Sequence, residues 1–533
     1  MPKIPQPCCE PGVQPMPSLL VMVLYLATFD HATLSDGKTT RAGMGNIVKD
    51  LTECEKRQDW LKGLELIAAL QLTLPALVDL LFELCGRGCL GLVALAERRL
   101  RGSAAQEPAL FLLRAVSGLL LGDEQELAAG LNELRALSAE ARSLLNEKAD
   151  RTLVQPILDG FYTEQFEFVL KAGAIRAALD PGLDELVAGW REAPRLPIQL
   201  ASRSLLARPE VAPSEWRPRV LIALRRNYFS YAWSRAHEMG PRLVAAMESA
   251  GWDVDFFGLE DNSDAAIPAT YQQIIARAAE LSPELIFLDE PRAIPDAVHL
   301  IALKEALPKV KLVGLYLDPW EQKTWAPIRA AGPYLDLLWT INPGLALWSE
   351  AELEPLMFFE PFPHGGEFTQ KNGRQANRLV FVGGVHHYNW TRALWLTGAK
   401  NSGIPLVSQL SDHRNDDLPP LASYRLYMRK LEDAGCAINF SLRRDGSRMV
   451  TGRSFEALLS GALLVQEFCP EFDAYALPGR HYLSFSSPAE LCGLWQFIRD
   501  CPKEAEAIRN AGYDFAKERY TDHAILGALL SCI

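Results

Sequence analysis

The stretch CAINFSLRRDGSRMVTGRSFEALLSGALLVQ, residues 436–466, contains one complete strand–helix–strand unit. Apolar residues over Cys436–Leu442 predict a strand, and a basic polar loop follows it. A helix is predicted over 452–460, and Gly461 permits a tight turn into a second apolar run at Ala462–Gln466. Short apolar runs that alternate with helices are typical of a parallel sheet covered on both faces.

The same alternation extends from this unit towards the amino terminus. The nearest elements are predicted at Leu379–Val382, 389–401, Pro405–Gln409 and 419–434. An earlier series contains the apolar runs Val220–Leu224, Asp253–Leu259, Leu285–Leu288, Leu312–Leu317, Leu335–Thr340 and Pro355–Phe359, and a helix over Gly240–Ala250. The fold class is therefore α/β, with two tandem Rossmann-like doubly wound domains over residues 217–376 and 377–533. In such sheets ligands bind beyond the carboxyl ends of the strands, and we expect two such edges to face each other across a cleft.

Residues 1–200 follow a different pattern. Leu61–Leu100 places Leu and Ala at helical spacing, and Glu107–Asn146 does so again around a break at Gly122-Asp123. This pattern predicts an all-helical amino-terminal domain of packed hairpins, without the clean 34-residue repeat of a tetratricopeptide array. A proline-rich stretch follows, and we predict a linker over 201–216.

The composition excludes several classes of protein. The chain has 533 residues, of which 49% are hydrophobic and 23% charged, as in ordinary globular proteins. Its net charge of −12 disfavours nucleic acid as the main partner, and no apolar run reaches the 18 or so residues of a membrane span. The ten cysteines lack zinc-site spacing, which favours reduced thiols in a bacterial-type cytoplasm and no bound metal. Residues 377–453 nevertheless carry 11 basic and 6 acidic side chains.

The helix start at 451–454 is the strongest candidate for an anion site. A helix amino terminus offers unpaired backbone N–H groups and the positive end of the helix dipole. Thr451, Gly452 and Ser454 supply small side chains and hydroxyls there, and Arg453 adds a positive charge. Glu456, about one turn further on, is placed to accept hydrogen bonds from two vicinal hydroxyls. The alternative is an ordinary N-capped helix that follows a solvated arginine loop.

Residues 217–525 resemble the GT-B glycosyltransferases of the group-1 superfamily, and among them the spore-maturation-protein-like (CgeB-type) glycosyltransferases. In the second half of the match, the carrying residues are RSFEALLSGALLV (453–465), Glu471 to Gly479, HYL (481–483), SPAEL (487–491), Glu504 to Gly512 and YTDH (520–523). In the first half they are GLYLDPW (314–320), DLLWT (336–340) and EPFP (360–363). Residues 1–200 are outside the resemblance.

The resemblance implies that the carboxy-terminal domain binds a nucleotide-diphosphate sugar as donor substrate, without a further cofactor. Glu456 matches the acidic residue that holds the nucleotide ribose, and Thr451 to Ser454 match the helix start that receives the diphosphate. The glycine turn of the family corresponds to Gly383 and Gly384, and a basic residue of the following helix corresponds to Arg392. Many retaining members carry a first glutamate eight residues before the ribose glutamate, where this chain has Arg448, itself a candidate contact for the donor. That difference puts the retaining glutamate mechanism in doubt without establishing inversion.

An inverting transfer needs a catalytic base within reach of the acceptor hydroxyl. Asp318 follows an apolar run and is one candidate, although Asp-Pro-Trp also suits a simple turn. His364, just before the interdomain linker, is the second candidate. His386 follows the glycine turn and is a candidate contact for phosphate or sugar, and no carboxylate or cysteine joins it at metal-ligand spacing.

The first strand of the earlier series ends in Arg225, Arg226, Asn227 and Tyr228. These four residues are candidates for contact with the acceptor or the diphosphate, and a solvated loop is the alternative. Asp253-Val-Asp255 resembles the Asp-x-Asp metal motif of the other main glycosyltransferase fold. Because it lies within a predicted strand, we expect its role to be structural.

The sequence thus predicts a cytoplasmic, metal-independent glycosyltransferase that acts on a macromolecular acceptor, either a protein or a surface glycan. The helical domain is predicted to recognise that acceptor, because a small sugar acceptor does not need 200 additional residues. The alternative is a catalytically inactive GT-B-like binding or scaffold protein in glycan or flagellar assembly. No nucleic-acid partner and no transmembrane segment are expected.

Overall fold

The computed structural model describes residues 41–70, 72–101, 107–183, 186–187, 216–226, 238–259, 267–289, 297–316, 331–342, 356–366, 368, 377–409, 418–442 and 448–533. The chain divides into two compact units, Met1–Val187 and Ala188–Ile533. The predicted boundaries of the linker at 201–216 and between 376 and 377 lie outside the described residues and stay predictions.

The described part of the first unit is helical. Its helices are α1 Arg41–Lys56, α2 Trp60–Ala69, α3 Leu74–Gly86, α4 Leu90–Arg101, α5 Pro108–Leu121, α6 Glu124–Ala136, α7 Ala139–Tyr162 and α8 Phe166–Leu179. The predicted break at Gly122-Asp123 separates α5 from α6. Gly122 ends α5 with a φ of 71°, and the Asp123 carboxylate accepts a hydrogen bond from the Glu126 amide at 3.1 Å. The two helices pack so closely that a Cβ on Gly130 would lie 2.6 Å from the Ala115 nitrogen.

The second unit contains two parallel sheets. The first has the order β2-β1-β3-β4-β5-β6, with strands Arg219–Arg225, Asp253–Leu259, Leu285–Leu288, Lys311–Tyr316, Leu337–Thr340 and Leu356–Phe358 numbered in chain order. The second has the order β11-β10-β9-β7-β8, with β7 Leu379–Val382, β8 Leu406–Gln409, β9 Cys436–Asn439, β10 Leu463–Glu467 and β11 Leu483–Phe485. Every strand pair is parallel. The predicted fold class is confirmed.

Helices cover both sheets. Those of the first sheet are α9 Met239–Ser249, α10 Ile267–Leu281 and α11 Ala297–Ala306. Those of the second are α12 Thr391–Asn401, α13 Pro420–Ala434, α14 Gly452–Leu459, α15 Pro488–Asp500, α16 Pro502–Arg519 and α17 Asp522–Cys532. One continuous core of buried apolar side chains includes members of both sheets, such as Phe287 and Trp339 from the first and Phe455 and Leu464 from the second. This shared core joins the two α/β halves into one unit.

Several element boundaries differ from the prediction by one to three residues, most visibly at the helix expected from 389 and at the strand expected to reach Leu442. The helix expected from 389 begins at Thr391, because a 3-10 turn over His387–Asn389 precedes it. The strand expected to reach Leu442 ends at Asn439, where a buried side-chain amide bonds to three polar groups of neighbouring elements. Leu442 pairs instead with Arg448 in an isolated bridge.

The Asp-x-Asp sequence lies within a strand, as predicted. Asp253 and Asp255 lie in β2. The Asp255 carboxylate accepts two hydrogen bonds from Arg277 at 2.7 and 2.8 Å, and Asp253 pairs with Arg219 at 3.0 Å. Both carboxylates therefore have cationic side chains as partners.

Candidate functional site

The strand orders create a switch point in each sheet. In the second sheet the chain passes from β7 to β8 on one side and returns to β9 on the other. In the first sheet β2 and β3 flank β1 in the same manner. Ligands of doubly wound sheets bind at such points, outside the carboxyl ends of the strands. The segments that follow β7, β9 and β1 are therefore the places where a site is expected.

The glycine turn after β7 lies under the side chain of Arg453. A Cβ on Gly383 would lie only 2.8 Å from the Arg453 guanidinium carbon, closer than side-chain atoms approach one another. A Cβ on Gly384 would lie 2.1 Å from Nε2 of His386. At both positions an added Cβ would displace a neighbouring side chain, the Arg453 guanidinium at Gly383 and the His386 imidazole at Gly384. The structure brings together four of the predicted donor-site residues.

Positive charge collects around this turn. Arg392 donates a hydrogen bond to the Gly384 carbonyl at 3.1 Å, and Nη1 of Arg453 is buried with no hydrogen-bond partner among the described residues. Burial, followed by the charges of Arg392, His387 and Arg453, lowers the pKa of His386. The imidazole is therefore neutral at pH 7, and the two guanidinium groups supply the charge. A buried cation with an unused N–H is a strong donor for an anion.

The helix start at 451–454 is tied to the sheet by its hydroxyls. The Asn439 side-chain amide donates to Thr451 Oγ1 at 2.8 Å and to Ser454 Oγ at 3.0 Å, and Ser454 Oγ donates to Gln466 Oε1 at 2.8 Å. Thr451 makes no side-chain hydrogen bond to the helix that it precedes. These hydroxyls therefore position the first turn of α14, and its backbone N–H groups, beginning at Gly452, are what the turn offers to an anion.

Glu456 lies in a buried cluster of polar side chains. Its Oε1 accepts a hydrogen bond from the Tyr424 hydroxyl at 2.9 Å, and its Oε2 accepts one from the Tyr427 hydroxyl at 2.6 Å. Nη1 of Arg242 lies 3.9 Å from Oε1. Arg242 comes from α9, which covers the first sheet, so that residues of both sheets' helices surround one carboxylate. The predicted role of Glu456 in ribose binding stays a prediction.

Sequence reasoning missed the three partners of Glu456. The spacing of Tyr424 and Tyr427, three residues apart on a helix, places both hydroxyls on one face, but nothing in the sequence links that face to Glu456. Arg242 is fully buried, stacks on the Tyr424 ring at 4.1 Å and donates to the Pro363 carbonyl at 3.1 Å. A buried arginine cannot be recognised from a single sequence.

Arg448, which stands at the place of the first glutamate of retaining members, has a carboxylate partner. Its Nη1 lies 3.7 Å from Oε1 of buried Glu467, and its guanidinium lies 5.5 Å from the Phe468 ring centroid. The other oxygen of Glu467 accepts the backbone amides of Ser441 and Leu442, both at 2.8 Å. These contacts close the base of the loop after β9. A donor-binding role of Arg448 stays a prediction.

At the carboxyl end of β1 in the first sheet, Arg225 forms a bidentate ion pair. Its Nε and Nη2 donate to the Asp289 carboxylate at 2.8 and 3.0 Å, and its backbone amide donates at 2.8 Å. Arg226 lies against Gly258, where a Cβ would be 2.7 Å from the arginine Nε. The ion pair therefore ties the end of β1 to the end of β3. The other predicted residues of this side, Asn227, Tyr228 and Asp318, lie outside the described residues.

The structure places His364 beside the Glu456 cluster. Its Nδ1 lies 2.8 Å from the Tyr424 hydroxyl and 3.4 Å from Nη2 of Arg242. Burial and the Arg242 charge hold the pKa of His364 well below its usual range. Nδ1 therefore has two polar neighbours, and Nε2 is buried with no hydrogen-bond partner among the described residues. His364 also lines a cavity of about 350 Å³ with Arg425, Lys517 and Asp522.

Within the described ranges, no three His, Cys, Asp or Glu side chains are grouped so that they could hold a metal ion. No helix in the described part of the chain is long and apolar enough to cross a membrane.

Residues 375–531 match the sequence profile of the family described as Glycosyl transferase-like. No curated protein matches the chain. The matching segment contains the glycine turn, Arg392, Arg453 and Glu456. Over this segment the match supports the predicted resemblance to glycosyltransferases. The narrower likeness to the spore-maturation-protein-like group stays a prediction.

Several solved structures are similar to the chain, with low sequence identities and low TM-scores. HepE of Anabaena in complex with UDP and glucose is 11% identical with a TM-score of 0.40, over 59% of this chain and 100% of its own. Sucrose-phosphate synthase of Thermosynechococcus elongatus is 12% identical with a TM-score of 0.41, over 58% and 97%. A glycosyltransferase of Rickettsia africae is 7% identical with a TM-score of 0.40, over 59% and 97%. At these scores the likenesses carry no argument for function, and the case for a donor site rests on the geometry and on the family match.

Proposed function

We propose that this chain is a glycosyltransferase that moves a sugar from a nucleotide-diphosphate sugar to a macromolecular acceptor. One observation carries the proposal, namely the Gly383–Gly384 turn beneath the guanidinium of Arg453, one N–H of which is buried without a partner among the described residues. The turn lies at the switch point of the second sheet, within the segment that matches the glycosyl transferase-like family.

The chemistry of transfer explains why cations are needed there. The bond between the anomeric carbon and the diphosphate oxygen breaks, a bond from the acceptor oxygen to that carbon forms, and the acceptor proton passes to a base. Negative charge therefore grows on the leaving nucleoside diphosphate. Arg453, Arg392 and the first turn of α14 would stabilise this charge in place of a metal ion. No cofactor enters this scheme.

The base is assigned to the acceptor side of the site. Asp318 and His364 both stay candidates for it. A glutamate-dependent retaining reaction is disfavoured, because Arg448 occupies the place of the first glutamate and is paired with Glu467. Arg225 and Arg226 are proposed to face the acceptor from the first sheet.

The acceptor is proposed to be a protein or a surface glycan in the cytoplasm, recognised by the helical unit. Deleting residues 1–187 and finding unchanged transfer to the natural acceptor would refute that part. The second candidate function, an inactive scaffold in glycan or flagellar assembly, differs in that it needs no donor. It is favoured only if the site binds no nucleotide.

The experiment is to incubate the purified chain with a panel of nucleotide sugars and to measure release of nucleoside diphosphate and thermal shift. Arg453→Ala is expected to weaken donor binding by about 10- to 100-fold, the value of one or two hydrogen bonds to a charged group. Arg277→Ala, which breaks an exposed ion pair on the outer face of β2, is the control and is expected to leave binding unchanged. No release and no thermal shift with any donor would refute the proposal and favour the scaffold.

A further inference from the structure

The cluster around Glu456 contains two tyrosines that the proposed reaction does not itself use. We propose that Tyr424 and Tyr427 are positioning residues, which fix the Glu456 carboxylate so that it accepts the two hydroxyls of a nucleotide ribose. The inference rests on the proposed function, because it assigns to these tyrosines a part in recognising the ribose of the donor. It predicts that ribose recognition depends on side chains that do not themselves touch the nucleotide.

The geometry assigns one tyrosine to each carboxylate oxygen. Tyr424 donates to Oε1 and Tyr427 donates to Oε2, at 2.9 and 2.6 Å. A carboxylate has about four lone-pair positions, two on each oxygen. Each oxygen therefore keeps one position, so the carboxylate can still accept two further hydrogen bonds, the number that a vicinal diol donates.

The tyrosines are themselves held in place. Both rings are buried, and their centroids lie 5.8 Å apart on one face of α13. The Arg242 guanidinium lies over the Tyr424 ring, and His364 is bonded to the Tyr424 hydroxyl oxygen. The Tyr424 hydroxyl has Glu456 on one side and His364 on the other, so it cannot rotate away without losing a partner. A donor with such limited freedom defines the carboxylate orientation.

Glu456 is a buried carboxylate. A carboxylate removed from water is destabilised unless hydrogen bonds or a nearby cation compensate. The two hydroxyls and the Arg242 guanidinium, 3.9 Å from Oε1, provide that compensation. Burial also raises the pKa of Tyr424, so its hydroxyl keeps its proton and acts as the donor. The protonated Tyr424 hydroxyl is therefore available to orient the carboxylate.

The first part of the test compares ribose with deoxyribose nucleotides. UDP, GDP, ADP and CDP, each with its 2′-deoxy counterpart, are titrated calorimetrically into the wild type, Tyr424→Phe and Tyr427→Phe. The wild type is expected to prefer the ribose form of the nucleotide that it binds. Each variant is expected to bind that form about tenfold more weakly, the value of one charge-assisted hydrogen bond, while binding of the deoxy form changes little.

The second part is a double-mutant cycle with Glu456→Gln. If the tyrosines act through the carboxylate, Tyr427→Phe is expected to have no further effect on the ribose preference when Glu456 is already glutamine. Tyr482→Phe is the matched control, because the Tyr482 hydroxyl donates to the buried Asp473 carboxylate at 2.6 Å elsewhere in the same unit. It is expected to lower thermal stability to a similar extent and to leave the ribose preference unchanged.

The outcomes separate this inference from the function on which it rests. A wild type that binds none of the nucleotides refutes both. A wild type that binds nucleotides while folded Tyr424→Phe and Tyr427→Phe variants keep its full ribose preference refutes the positioning role alone. An equal loss of preference in Tyr482→Phe also refutes it, because the effect would then be general destabilisation.

Discussion

Replacing Gly383 with alanine tests the contact that supports the donor site. The added Cβ would lie 2.8, 3.0 and 3.1 Å from three atoms of the Arg453 guanidinium, Cζ, Nη1 and Nε. Ordinary carbon contacts begin at about 3.5 Å, so the guanidinium has to withdraw by roughly 0.5–1 Å. The backbone at Gly383 is not in the left-handed region, so alanine adds a steric conflict and no backbone strain.

The magnitude follows from what the displaced group does. A shift of this size is enough to lose one charge-assisted hydrogen bond to a diphosphate, because such bonds weaken steeply with distance and angle. We expect Gly383→Ala to bind the nucleoside diphosphate about 10- to 30-fold more weakly, at a cost in folding stability of about 1 kcal/mol or less. The assay is calorimetric titration of the donor nucleotide, together with urea unfolding of the same samples.

Gly366→Ala is the matched control. A Cβ at Gly366 would meet nothing closer than the Arg425 side chain at 3.7 Å, an ordinary contact. We expect its nucleotide affinity to equal that of the wild type. A folded Gly383→Ala variant that also binds like the wild type would show that the guanidinium does not hold the diphosphate from this position.

Two further predictions concern stability. Asp289→Asn breaks the buried pair with Arg225 and is expected to lower the free energy of unfolding, measured in urea, by about 3–5 kcal/mol. Asp253→Asn breaks an exposed pair and is expected to lower it by at most about 1 kcal/mol. Equal losses in the two variants would contradict the argument from burial. Burial lowers the pKa of His481 to about 4. Between about pH 6.5 and 4, His481 therefore binds a proton in the unfolded chain and not in the folded chain. The free energy of unfolding is therefore expected to fall as the pH is lowered from about 6.5 to 4. His481→Gln, which keeps an acceptor for the Leu477 amide, is expected to make that fall smaller by about 1–3 kcal/mol. An unchanged pH dependence of the unfolding free energy in this variant would contradict the assignment.

The fold was accessible from the sequence because its main signals are local. The buried strands β3 and β7 are continuous apolar runs with polar or glycine ends, and their predicted limits agree with the structure. The helix hairpin at Gly122-Asp123 carries its own stop and start residues. Parallel sheets also follow a strict rule of alternation, so that finding the strands and the helices between them is enough to fix the fold class.

The partners of the site residues were not accessible in this way. Arg225 was predicted to follow the first strand and is in fact the last residue of β1, and its pairing with Asp289 joins residues 64 positions apart. The hydroxyls of Thr451 and Ser454 were expected to face the ligand. In the structure both hydroxyl oxygens accept hydrogen bonds from the Asn439 side chain. Spacing along the chain indicates which edge a residue lies on. It does not indicate with which of several neighbouring polar groups the side chain forms a hydrogen bond or an ion pair.

The Glu456 cluster shows why this limit applies most strongly at a functional site. Its carboxylate is surrounded by side chains from α9, α13 and the segment before the second sheet, which no local pattern connects. A buried carboxylate is stable only when such distant groups converge on it. Convergence of this kind costs conformational freedom in each element, and a solvated glutamate in the first turn of α14 would avoid that cost. The chain instead places two hydroxyls and a guanidinium around one carboxylate, an arrangement that makes physical sense if Glu456 has to keep one orientation for a ligand.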